Sequence, residues 1–123
     1  MRILALDIGT RRTGCAFYDD ANGVPLPLDT LLHVSQEEFA DAVHLLVKNR
    51  KIDEIVVGLP LLLSGKSGAQ TASVKKYVSA LTDLTIPLTL QDERYTTPKI
   101  QAGDRDALAA LTLLTTYVER KNS

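Results

Sequence analysis

The chain has a single cysteine, Cys15, among its 123 residues. That excludes an internal disulfide framework and a cysteine-rich zinc site, and makes a reducing, cytoplasmic setting the expected one. Two histidines, His33 and His44, are too few for a histidine-rich metal site. Seven glycines and five prolines rule out low-complexity and collagen-like character. Long apolar runs are missing as well. The longest nearly apolar stretch, Ile55 to Leu63, is nine residues, whereas a bilayer-spanning helix needs about 20, so no membrane association is expected. Residues 1–6 meet Asp7 too soon to form the apolar region of a signal peptide. Excess charge of one sign is also lacking. With 14 basic and 15 acidic residues the net charge is −1, so any anion-binding site must come from local clustering.

What is present suits one globular domain over residues 1–123: 45% hydrophobic and 24% charged residues. Residues 2–7 are an apolar run ending in an acid and read as a buried strand. Gly9 and Gly14 punctuate the turn that follows. Cys15 to Tyr18 reads as a second strand, closed by a turn at Asp19–Gly23 with Asn-Gly chemistry. Residues 26–33 suggest a third strand, weakened by Pro25 and Pro27 and so placed at an edge. Ser35-Gln36-Glu37-Glu38 has capping-box spacing and opens a helix. Phe39, Val43, Leu46 and Val47 share one face of it, and Lys48, Arg50 and Lys51 suit the dipole at its end. Ile55-Val56-Val57-Gly58 is a β-branched, central strand. A loop over 59–69 precedes a second helix with Val74, Tyr77, Val78 and Leu81 in one stripe. Pro87 to Leu90 is a fifth strand. A last helix spans about Asp104 to Arg120, with Leu108, Leu111, Thr115 and Val118 along one side. The order predicts an α/β fold: a mixed five-stranded sheet, its first three strands an antiparallel meander, then parallel strands joined by crossovers, flanked by helices.

Three places can carry chemistry. In Asp7-Ile8-Gly9-Thr10-Arg11-Arg12-Thr13-Gly14, an acid ends a buried strand, at the rim where open α/β sheets bind ligands. Gly9 permits close approach, and Thr10, Arg11 and Arg12 can donate to phosphate. The same residues also describe an ordinary strand-ending Asp turn. Asp92-Glu93-Arg94 repeats the placement at the fifth strand, and a solvated turn with a local ion pair is its plain alternative. Asp106 opens the last helix, where an acid is stabilised by the dipole in any protein. Here Ala107, Ala109 and Ala110 would let the helix lie close to the sheet and bring Asp106 beside Asp7. Carboxylates gathered at one point repel each other unless a cation joins them, and Mg²⁺ or Mn²⁺ suits their hard oxygens. Two such ions clamp the attacking and leaving oxygens of a phosphodiester displacement.

Gly65-Lys66-Ser67 suggests a phosphate-binding P-loop, but the required earlier glycine is missing, because position 60 is Pro. Lys66 can still contact a phosphate backbone. Cys15, His33 and His44 read as structural.

Four stretches, LALDIGTRRTGCAFYD, IVVGLPLLLSGKSG, PLTLQDERYTT and DALAALTLLTTYV, occur in the order found in the YqgF or RuvX family, and the chain resembles that family over nearly its whole length. The resemblance implies a ribonuclease H-like fold. It puts Asp7, Glu93 and Asp106 at the acidic positions proposed to bind metal, with Arg12 and Arg94 beside them. It implies a metal-dependent endonuclease acting on branched DNA junctions or on the small-subunit ribosomal RNA precursor, leaving 5′-phosphate and 3′-hydroxyl ends. Arg11, Arg12, Lys66, Arg94, Lys99 and Arg105 then form a basic cluster at the rim. A resolvase cutting symmetric strands would be a two-fold homodimer. Tyr117 and Val118, or Leu61 to Leu63, are candidates for that interface, with burial in the core as the other fate.

The chain departs from the family pattern twice. Only eight residues, Pro98 to Arg105, separate Thr97 from Asp106, where the family usually carries a longer helix and a basic loop. Gln91 stands where an aromatic is more common, and Gln neither stacks on a base nor braces the site as an aromatic would. Two other function classes stay open. One is a non-catalytic nucleic-acid-binding or ribosome-assembly module keeping the fold. The other is an ATP-handling enzyme, since Asp-x-Gly-Thr also opens the phosphate motif of sugar kinases and actin-like ATPases; those need a second domain that 123 residues cannot supply.

Overall fold

The computed structural model describes residues 1–60, 68–92 and 105–122, with the side chains of 105 and 106 excepted. The elements run β1 (Arg2–Ile8), β2 (Arg12–Asp19), β3 (Leu26–Leu32), α1 (Gln36–Arg50), β4 (Glu54–Leu59), α2 (Ala69–Ser79), β5 (Leu88–Asp92) and α3 (Arg105–Lys121). They build a five-stranded sheet of order β3-β2-β1-β4-β5. β1 pairs antiparallel with β2, β2 antiparallel with β3, and β4 parallel with both β1 and β5. This is the expected meander followed by crossovers, with β3 at an edge.

Alternation along β1 divides the core in two. Leu4, Leu6 and Ile8 face a cluster that includes Phe39 and Val43 of α1 and Val74 of α2. Ile3 and Ala5 face the other way, onto Ala110, Leu113 and Leu114 of α3. Helices therefore cover both faces, and β4, with Ile55, Val56 and Val57 fully buried, is β-branched because both of its faces are packed.

α1 begins as its sequence requires. The Ser35 hydroxyl accepts from the Glu38 amide at 3.1 Å. The return bond differs from the expected capping box: the Glu38 carboxylate accepts from the Val34 amide at 3.3 Å. The carboxylate thus ties down the residue before the cap instead of the cap itself.

Three other expectations shift. β2 starts at Arg12, because its ladder with β1 runs on to Ile8 opposite Thr13. Gly14 is consequently inside the strand, and the turn shrinks to Gly9–Arg11. β5 extends through Gln91 and Asp92, which pair with Gly58 and Leu59 of β4; a backbone ladder does not require apolar side chains. The buried face of α3 is Ala107, Ala110, Leu113 and Leu114, one residue round from the expected stripe of Leu108, Leu111, Thr115 and Val118. Small residues on the sheet, Ala5 and Ala16, accept the alanine face at close range.

The direction of α3 is fixed by a polar anchor. Glu54, the first residue of β4, is buried and accepts from the Tyr117 hydroxyl and, at 2.9 Å, from Lys121 Nζ. The C-terminal end of α3 therefore lies at the start of β4, and its first turn lies at the opposite rim, where β1 and β4 end. Tyr117 and Val118, proposed above for an interface, pack instead against the α3-side core. Leu61 to Leu63 lie outside the described residues. Among the described residues no helix is long and apolar enough to cross a membrane.

Candidate active site

Asp7 is the penultimate residue of β1 and half-buried. It shares its face with Ile3 and Ala5, the face covered by α3. Its register partner in β2 is Gly14. On the other flank Leu6 pairs with Val57, so the next step of the parallel ladder sets Gly58 beside Asp7. The acid is thus bordered by glycine on both neighbouring strands, and neither glycine sets a side chain beside it.

The backbone of Asp106 lies in the first turn of α3. It precedes Tyr117 by about three helical turns, roughly 16 Å. Asp7 lies about 13 Å along β1 from Ile3, the register partner of Glu54. Measured from the Glu54 anchor, the two positions reach similar heights at one end of the sheet. Asp92 ends β5 at the same rim. Glu93 and Arg94, which follow it, lie outside the described residues, as do Lys66 and Lys99. Among the described residues no group of three His, Cys, Asp or Glu side chains is gathered to hold a metal. Asp7 is one of those residues; Glu93 and the side chain of Asp106 are not. Hard carboxylate oxygens are the donor chemistry that suits Mg²⁺ or Mn²⁺.

Thr10, Arg11 and Arg12 are exposed in and just after the β1–β2 turn, and the turn that carries them is closely determined. The Gly9 amide donates to the Arg12 carbonyl at 2.8 Å, and the His33 amide donates to the Arg11 carbonyl at 3.0 Å. A Cβ at Gly9 would stand 2.5 Å from the Arg12 carbonyl oxygen, so only glycine fits there. A cavity of about 290 Å³ opens over Gly9, Thr10, Arg11 and Arg12. A second, of about 450 Å³, is lined by Ile8, Gly9, Thr10 and, from α2, Ala69, Gln70, Ser73 and Val74. Gln70 and Ser73 were not singled out from the sequence. Their signal is the helical spacing 70, 73, 77, which turns one polar edge of α2 toward the turn.

Cys15, His33 and His44 behave as structural residues. Cys15 is fully buried, and burial pushes its thiol up to about 12. His33 is buried, bonded through Nε2 to the Thr13 hydroxyl at 2.8 Å, and burial lowers its pKa below the ordinary 6.5. His44 bonds the Ala40 carbonyl at 2.6 Å and the Asp83 carboxylate at 3.0 Å. Those two acceptors, the carbonyl foremost, raise its pKa above 6.5. Gln91 is buried, and its amide donates to the Leu113 carbonyl of α3 at 3.4 Å. Contrary to the sequence expectation, Gln91 does brace the rim, by linking β5 to α3 through a hydrogen bond in place of aromatic packing.

A family model described as "RuvX: Holliday junction resolvase" matches residues 1–120. A protein of Sulfurihydrogenibium sp. (strain YO3AOP1), named "Putative pre-16S rRNA nuclease", is 35% identical over 133 aligned residues, covering 97% of this chain and 90% of that protein. One of Koribacter versatilis (strain Ellin345) with the same name is 33% identical, covering 98% and 88%. Among solved structures, Thermus thermophilus RuvC in complex with a Holliday junction substrate superposes with a TM-score of 0.68 at 10% identity, over 99% of this chain and 95% of that one. The fowlpox virus resolvase in complex with Holliday junction DNA gives 0.60 at 11% identity over the whole of both chains. At such identities these structures establish the fold, which is ribonuclease H-like.

Proposed function

The chain belongs to the RuvX family, and on that premise we propose that it is a metal-dependent endonuclease, a single domain over residues 1–123 that hydrolyses phosphodiester bonds in structured nucleic acid. The observation that carries this reading is the rim geometry: Asp7 between two glycine-bearing strands, with the first turn of α3 at the same height. The names of the relatives point to a ribosomal RNA precursor as substrate, and those of the fold neighbours to a four-way DNA junction.

In this reading Asp7, Glu93 and Asp106 hold Mg²⁺ or Mn²⁺ in a two-metal-type arrangement. When bound, such ions neutralise charge on the phosphate oxygens and make water a competent nucleophile near neutral pH. The chain's own residues supply the rest. Asp7, paired with Gly14 of β2 and one residue past the last β1–β4 pair, has its backbone held at the rim, which limits the reorganisation needed to present its carboxylate. Thr10, Arg11 and Arg12 hold the sugar-phosphate backbone over the turn, Arg through its planar fork. Arg94 and Lys66 add positive charge along the strand path. A homodimer would present two such sites for symmetric strand cutting.

The test is a substrate panel. Purified protein is incubated with a labelled four-way DNA junction and with labelled structured RNA, each with and without Mn²⁺ or Mg²⁺. Metal-dependent cleavage of one of them supports the reading and identifies the substrate class. No cleavage of either, with salt-sensitive binding intact, favours the non-catalytic nucleic-acid-binding or ribosome-assembly module that keeps the same fold.

A further inference from the structure

The β1–β2 turn is held from outside its own hairpin, by α2 and by the segment after β3. The Tyr77 hydroxyl, on α2, donates to the Thr10 carbonyl at 2.9 Å across 67 residues of chain. His33 holds the next step: its amide bonds the Arg11 carbonyl, and its ring bonds the Thr13 hydroxyl. The two anchors are packed together. The His33 and Tyr77 rings are 5.4 Å apart, and each lies 5.3 Å from the Phe39 ring of α1 in an edge-on arrangement. Three aromatic rings from α1, α2 and the β3–α1 connection thus form a wedge that bonds the turn through the Tyr77 hydroxyl and the start of β2 through His33 Nε2. Removing the rings would open the wedge. Removing the Tyr77 hydroxyl alone would release Thr10 and leave the wedge standing.

We propose that Tyr77 is a positioning residue for substrate binding, which acts by fixing the backbone of Thr10 so that Thr10, Arg11 and Arg12 present their donors at the rim beside Asp7. This rests on the nuclease reading for what the turn binds, but not for the coupling of α2 to the turn. An exposed arginine-bearing turn would otherwise lose conformational freedom each time it engages a phosphate backbone. Setting it in advance lowers that entropic cost of binding. The hydroxyl therefore acts on affinity and leaves the chemical step alone.

Tyr77→Phe keeps the wedge and deletes the one bond. Ser79→Ala is the control, since Ser79 is on the same helix and its hydroxyl bonds the Lys76 carbonyl, away from the turn. Limited trypsin digestion of the full chain reads the turn directly, because Arg11 is a cleavage site in it and Arg12 one directly after it. Loss of one hydrogen bond is expected to raise cleavage there about fivefold. KM for the nucleic-acid substrate should rise by a similar factor, with kcat within about twofold and the thermal midpoint unchanged. Ser79→Ala should match the original chain in every respect. Unchanged cleavage at Arg11 and Arg12 overturns the proposal. So does a loosened turn with unchanged KM, or a lowered thermal midpoint with cleavage raised along the whole chain, which would make Tyr77 a fold residue only. If no substrate is cut or bound by the original chain, the nuclease reading fails, and the trypsin result still decides whether Tyr77 holds the turn.

Discussion

Asp7 of β1 stands directly opposite Gly14 of β2 in the antiparallel ladder. The only large group at that level of the two strands is a carboxylate, at the end of a strand buried through most of its length. Strand pairing fixes its backbone, and the glycine opposite sets no side chain beside it.

The turn beyond Asp7 tolerates no side chain at Gly9, where a Cβ would meet the Arg12 carbonyl at 2.5 Å. Gly9→Ala must displace the backbone between Gly9 and Arg12. We expect about 1–3 kcal/mol of lost stability in denaturant unfolding, together with weaker substrate binding. Unchanged stability and binding would show that the turn adapts.

Arg11 and Arg12 are exposed beside a cavity of about 290 Å³, a geometry suited to phosphate contact. Each replaced by Ala should weaken binding of nucleic acid irrespective of its sequence. Each should also reduce the slope of log affinity against log salt by about 1. Fluorescence anisotropy across a salt series measures both. A change confined to one substrate sequence, or an unaltered salt slope, would exclude backbone contact.

The two histidines should titrate on opposite sides of the ordinary value of 6.5, His33 below it and His44 above it. For His44 the folded pKa is raised, so its contribution to stability is fully present below 6.5 and disappears as pH rises through the folded value. For His33 the folded pKa is lowered, so the unfolded chain binds the proton better, and stability falls as pH drops below 6.5. NMR of the two ring resonances gives the order directly. His44→Gln should destabilise more at pH 6 than at pH 8, and a reversed order of titration would contradict the bonding described here.

Ala110 is fully buried against the sheet. Ala110→Leu would force α3 outward, with an expected loss of about 1–3 kcal/mol. Because the first turn of α3 carries Asp106, cleavage should fall more than stability alone accounts for. Cleavage proportional to the folded fraction would show that the spacing of α3 from the sheet does not matter to catalysis.

Much of this was legible in the sequence because local rules and tertiary packing agree. The β-branched run at 55–57 sits buried on both faces, Ser35 caps α1, and the proline-weakened strand lies at an edge. Where they diverge, packing prevails. On α3 the neighbouring stripes 108–111–115 and 107–110–114 both carry apolar residues, and the bulkier one reads as the core. The sheet surface of Ala5 and Ala16 selects the alanine stripe instead, and a reading weighted by hydrophobic bulk misses it. Gly14 resembles a turn residue, yet its place is set by the length of the β1–β2 ladder, which is a property of two segments together. Gln91 reads as a poor brace where an aromatic is more common, and it is α3 that supplies the carbonyl its amide reaches. Asp7 was legible as a candidate because an acid closing a buried strand is conspicuous in the chain itself. The hold of Tyr77 on Thr10 spans 67 residues and leaves no local trace.

The most direct measurement is single-turnover cleavage, in Mn²⁺, of whichever labelled substrate the panel identifies, by the original chain and by Asp7→Asn. The exchange keeps the shape of the side chain and removes its charge. The account predicts cleavage reduced by at least about a hundredfold, with the protein still folded and metal-free substrate binding retained. Cleavage by Asp7→Asn at the rate of the original chain would contradict it, and would move the chemistry away from the rim where β1 ends.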